Sequence, residues 1–186
     1  MRDRMVPTIL LSRLRSRDVL HILRIDSDPQ DDVKVVPVSL RQIGLAEEIA
    51  TLYTQHIQPI EQTKCHACTN DIGGALAYAN RIAKKLQANG SASQVIVMAF
   101  SDGKLEGPQT KLRSEWPEGV QVWFWGIEHE HEAALKKWCT QQMQLSDDQL
   151  NVVLFSDWET DAPLFGQKIG RRFPDEQLMQ RLQTAG

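Results

Sequence analysis

Cysteine is scarce in this chain: Cys65, Cys68 and Cys139 are all it has in 186 residues. Three cannot pair completely within one chain, and a fold of this length does not need staples. A disulfide scaffold is excluded and a reducing compartment, the cytoplasm, is expected. Long apolar runs are also missing. The longest near the N-terminus, Met5 to Leu11, is interrupted by Pro7 and has no small-residue cleavage site after it, so neither a membrane partner nor a secretory signal is expected. Neither sign of charge dominates. The balance of 21 basic and 24 acidic residues leaves −3, no field to draw the chain to nucleic acid or anionic lipid. Arg13, Arg15 and Arg17 form only a small basic stripe without interleaved aromatics. No low-complexity segment or linker divides the sequence, so one domain over residues 1–186 is expected, with residues 1–17 as an N-terminal extension.

What is present is alternation. Val19 to Ile25 and Val33 to Ser39 read as short strands around the turn-rich Asp26-Ser27-Asp28-Pro29-Gln30. Arg41 to His56 reads as an amphipathic helix and Gln55 to Cys68 as a loop. From Asp71 to Gln87, Ile72, Ala75, Leu76, Ala79, Ile82, Ala83 and Leu86 keep a helical stripe that Asn89-Gly90 stops. Three apolar runs follow, Gln94 to Phe100, Val120 to Ile127 and Asn151 to Phe155, and none alternates cleanly. Continuous apolar strands imply burial on both faces. A helix is expected between the last two, His129 to Met143, burying Ala133, Ala134, Leu135, Trp138 and Cys139, and another at Asp175 to Gln183. This order implies an α/β fold: a doubly wound, mostly parallel open sheet with helices on both faces, Rossmann-like in kind. In such sheets function sits at the carboxyl ends of the strands, and three expected strands end near an acid: Asp26, Asp102 and Asp157.

Two segments then resemble the von Willebrand factor A family. Asn70-Asp71-Ile72-Gly73-Gly74-Ala75-Leu76 is similar to its glycine-rich helix start, and Val95 to Phe100 with Ser101-Asp102-Gly103 is similar to its fourth strand and Ser-Asp-Gly end. Val120 to Ile127, closing on Gly-Ile, fits the strand after that. The resemblance spans about Asn70 to Asp157. It implies a binding module with a divalent-cation site built from an Asp-x-Ser-x-Ser loop, a Thr before the helix and an Asp after the fourth strand. Asp102 matches the last of these. Asn70 stands at the Thr position with Thr69 one residue before it, and the chain contains no Asp-x-Ser-x-Ser. The resemblance therefore implies a degenerate site through Asp102, Thr69 and Asn70, with no cofactor or a weakly bound Mg²⁺, because Mg²⁺ demands near-octahedral oxygen geometry. The expected function is a non-enzymatic adaptor in a larger assembly, binding protein partners at the carboxyl edge of the sheet around Asp26, Asn70, Asp102 and Asp157.

The alternative is a Mg²⁺-dependent phosphohydrolase resembling the haloacid dehalogenase family. Asp26 would be its nucleophile, Asp28 its acid/base, and Ser101, one of Lys136, Lys137 or Lys168, and Asp157 with Asp161 would complete the set. Pro29-Gln30 fits that motif poorly. Cys65-His66-Ala67-Cys68 lacks a second ligand pair for zinc and reads as a loop with two incidental thiols. In Glu128-His129-Glu130-His131-Glu132 the two histidines, two residues apart, face differently on a helix. Trp123 and Trp125 read as core; Trp116 and Trp158 read as exposed turn residues that can anchor a partner.

Overall fold

The computed structural model describes residues 19–22, 34–37, 54–55, 71–92 and 94–168. These fall into two compact units. In one, β1 (Val19–Ile22) and β2 (Lys34–Pro37) pair with each other antiparallel, Leu20 opposite Val36 and His21 opposite Val35. Most of α3 (Trp158–Lys168) belongs to the same unit and buries Ala162 and Phe165, three apart on one helical face.

The other unit contains α1 (Ile72–Ala88), β3 (Val95–Phe100), β4 (Val120–Ile127), α2 (His129–Gln142) and β5 (Leu150–Leu154). Its strands form a parallel sheet in the order β3-β4-β5. The unit is thus α/β in class. α1 starts where the Asp71 carboxylate accepts the Gly74 N–H at 2.9 Å. It stops at Gly90, whose φ of +63° suits glycine, with Gly90 N–H donating to Gln87 O and Ser91 N–H to Leu86 O. That pair of bonds is the Schellman closure, which satisfies the last carbonyls of the helix.

The centre of the unit is β4. Val120, Val122 and Phe124 lie on one face and join Ile72, Leu76, Ala79 and Ala83 of α1 and Leu135 and Cys139 of α2 in one apolar cluster. On the other face Trp123 and Trp125 stack, ring centres 5.7 Å apart and planes 15° from parallel. Both are buried as well. This is the two-sided burial that a continuous apolar strand implies. Near its end β4 carries a bulge: Trp125 pairs with Val153 and Ile127 with Leu154, leaving Gly126 as the extra residue at φ +84°. The bulge turns Ile127 into the core and delivers Glu128 to the sheet edge. Burial pushes the Cys139 thiol up to about 12, so it packs as a small apolar group rather than as a nucleophile.

Several expectations are corrected. Trp116 is buried, donating from Nε1 to Met143 O at 2.8 Å, and anchors its own fold instead of a partner. Trp158 is half-buried and opens α3, where a turn was expected. Ala133 and Ala134 face solvent, since Leu135 and Cys139 alone define the inward stripe of α2, with Trp138 half-buried beside it. The expected helices at Arg41 to His56 and Asp175 to Gln183 fall essentially outside the described residues, as do Cys65, Cys68 and the arginine stripe.

Candidate functional site

Because β3, β4 and β5 run parallel, their carboxyl ends share one edge, and the backbone stitches the following residues together there. Ser101 N–H donates to Trp125 O at 3.2 Å, Glu128 N–H to Asp102 O at 2.9 Å and Phe155 N–H to Ile127 O at 3.0 Å. The result is a continuous rim of Asp102, Glu128 and Asp157, all exposed, with exposed Phe155 beside Ser156-Asp157.

After β3 the chain turns tightly. Gly103 N–H donates to the Ser101 hydroxyl at 3.1 Å, and Lys104 N–H donates to Asp102 Oδ1 at 3.0 Å. Gly103 sits at φ +87°, and a Cβ there would press on Ile127 and His131, so the turn packs directly against the start of α2. Lys104 pairs with Glu106 at 2.5 Å. That bond and the Glu106 charge, followed by Asp102 and Glu128, raise the pKa of the ammonium. An exposed positive group thus stands beside the rim carboxylates.

At the first turn of α2, His131 Nε2 lies 3.5 Å from Glu130 Oε1 and 3.8 Å from Glu128 Oε2. The three ligand atoms are all within 4.8 Å of one another, close enough for one divalent ion to touch each. Carboxylates in a first helical turn are also favoured by the helix dipole without any ion. The comparison of His129 with His131 in the sequence missed this grouping. Its readable signal is the i, i+3 spacing of Glu128 and His131.

Asp71 is the other organising acid, and the sequence marks it only as part of a helix start. Its Oδ1 accepts from Gly74 N–H and Thr110 N–H, both at 2.9 Å, and its Oδ2 accepts from the Thr110 hydroxyl at 2.6 Å. Burial raises its pKa, but the bonds from Thr110, Gly74 and Gly73 outweigh that and hold the carboxyl below its ordinary value.

Of the residues singled out in the sequence, Asp102 and Asp157 are therefore placed on one edge, after strands of one sheet. Asp26, Asp28, Thr69 and Asn70 lie outside the described residues. Ser101, one member of the set in the alternative reading, accepts the Gly103 N–H in the turn after β3. What the fold and the rim define is an α/β domain with a parallel sheet and a charged carboxyl edge. Among the described residues no helix is long and apolar enough to cross a membrane. No protein family, no curated protein and no solved structure matches this chain.

Proposed function

We propose that this chain is a cytoplasmic, non-enzymatic adaptor of the doubly wound, von Willebrand factor A-like kind, which docks protein partners on the carboxyl edge of its parallel sheet. The observation that carries the reading is the Ser101-Asp102-Gly103 turn at the end of β3, bonded through Asp102 O to the start of α2. The strand order supports it. Strands added in one direction, β3 then β4 then β5, with right-handed crossovers put their connections on one face. The shared cluster of α1, α2 and the Val122-Phe124 face of β4 fits that arrangement, and it leaves the tryptophan face for the other winding.

The cation part of such a site is altered in this reading. Asp102 Oδ1 already accepts the Lys104 N–H, and the Lys104 ammonium, paired with Glu106, also interacts with the Asp102 charge. Mg²⁺ then binds weakly or not at all, and partners are held by ordinary contacts around Asp26, Asn70, Asp102 and Asp157.

Capture of partners from a lysate by immobilised protein tests this. Reversing charge on the rim with Asp102→Lys and Glu128→Lys is expected to cut recovery of a specific partner at least tenfold, the effect of losing roughly 1.4 kcal/mol of complementarity. Glu118→Lys, at the opposite edge just before β4, and added chelator are expected to leave recovery unchanged. Recovery indifferent to the rim reversal would refute the docking face. Loss on chelation alone would show that a metal carries the interaction.

A further inference from the structure

We propose that α1 and the segment 110–118 beside it form a binding face for single-stranded nucleic acid, a stripe of cations around Arg81 and Tyr78. This face shares no residue with the carboxyl edge proposed above for docking. The chain as a whole is near neutral, at −3. A partner's phosphates respond to charge within a Debye length of about 10 Å rather than to the total, and here the fold gathers charge of one sign.

Four side-chain bonds lay the segment along the helix. The Thr110 hydroxyl donates to Asp71 at the start of α1, Asn80 Nδ2 to Glu115 O at 3.4 Å, Lys84 Nζ to the Ser114 hydroxyl at 2.8 Å and Gln87 Nε2 to Glu118 O at 2.7 Å. Segment and helix therefore run side by side in the same direction. On α1, Arg81, Lys84 and Lys85 are exposed and have the i, i+3 and i+4 spacing of one helical face. On the segment, Leu112 is buried while Lys111 and Arg113 on either side of it are exposed. Five cations thus line one flank. Lys104 and Lys136 are paired with Glu106 and Glu132, but among the described residues none of these five is in an ion pair. Of the exposed acids of the segment, Glu115 lines a cleft with Thr140 and Gln144, and Glu118 lies at the far end beside Gln87.

Charge alone suits any polyanion, and Arg81 narrows the choice. Its guanidinium carbon lies over the Tyr78 ring, 5.0 Å from the centroid, and the residue stays exposed. The ring supports one side of the planar cation, leaving the other for a base to stack on. A stacking platform among lysines is how single strands are held, the bases on planar groups and the phosphates on the cations. A duplex keeps its bases stacked on one another and offers phosphates alone. An acidic protein segment offers charge without bases. At about 1.5 Å of rise per residue the helix flank from Tyr78 to Lys85 is about 10 Å long, room for a few nucleotides.

Fluorescence anisotropy tests this on the whole protein, with a labelled RNA strand of about 12 nucleotides and the same strand annealed to its complement. The single strand is expected to bind about tenfold tighter than the duplex. Its log affinity should fall against log salt with a slope of about −3, as about four neutralised phosphates require. The triple variant Arg81→Gln, Lys84→Gln, Lys85→Gln changes exposed side chains only. It is expected to weaken binding at least about tenfold with the circular dichroism spectrum unchanged. Arg81→Lys keeps the charge and loses the plane, so the salt slope should stay while the preference for the single strand falls. No binding at low salt, or binding that both variants leave intact, would overturn the proposal. Equal affinity for strand and duplex would reduce the face to a phosphate contact and overturn it too. Displacement of the strand by polyglutamate as readily as by unlabelled RNA would assign the face to an acidic protein segment instead.

Discussion

Phe124→Ala is expected to destabilise the parallel-sheet unit by about 3–5 kcal/mol, the range for deleting a buried aromatic from a packed core. Phe124 has no exposed surface and shares a cluster with both α1 and α2. The strand around it is held by parallel neighbours on both sides, so the backbone has little freedom to collapse into the space left. Losses of this size are a large part of the stability of an ordinary domain. Urea denaturation, followed through the fluorescence of Trp123 and Trp125 on the opposite face, should show the midpoint falling steeply. A loss below about 1 kcal/mol would mean that the cluster is not the core of this unit.

Asp71→Ala should cost about 2 kcal/mol and carry a pH signature. Roughly 1 kcal/mol is the helix cap given to Gly74. About 1 more is the pair of bonds from Thr110, reduced by solvent at this partly exposed site. Since the carboxyl is held below its ordinary 3.8 in the folded chain, its ionised form favours folding. The contribution is complete above that value and disappears as pH falls through the lower folded-state value. The stability difference between wild type and Asp71→Ala should therefore be constant from pH 7 to about 5 and shrink below about 4. Asp71→Asn should retain most of the cap, because asparagine caps well, and lose the charge-dependent part. A difference that persists undiminished at the lowest pH where the protein folds would contradict the assignment of the carboxylate as acceptor.

Much of the parallel-sheet unit is legible in the sequence. The stripe from Ile72 to Leu86 gave α1 to within a residue or so, because its inward positions are apolar and its stop is Asn-Gly. β3, β4 and β5 follow from uninterrupted apolar runs. Elements whose local signal conflicts with their environment are less visible. α3 contains Pro163 and opens on Ser-Asp-Trp-Glu, which reads as a turn. Trp116 lies among charged and turn-forming residues, and its burial depends on Met143, 27 residues away in sequence. The hydrogen bond from Thr110 to Asp71 spans 39 positions and is marked by no motif. On the rim, Asp102 and Asp157 were found because strand ends are recognisable, whereas the joining of Asp102 O to Glu128 N–H is a product of the β4 bulge at Gly126.

Site-directed photo-crosslinking tests the central claim, docking at the carboxyl edge, most directly. A crosslinking residue would be placed at Lys104, Glu128 or Phe155 on that edge and, for comparison, at Glu118 or Asp147 on the opposite one; all five positions are exposed. The expected result is one discrete adduct of the same partner from the three carboxyl-edge positions and none from the other two, with or without chelator. Adducts from Glu118 or Asp147 alone, or none from any position under conditions where the partner is captured, would contradict it.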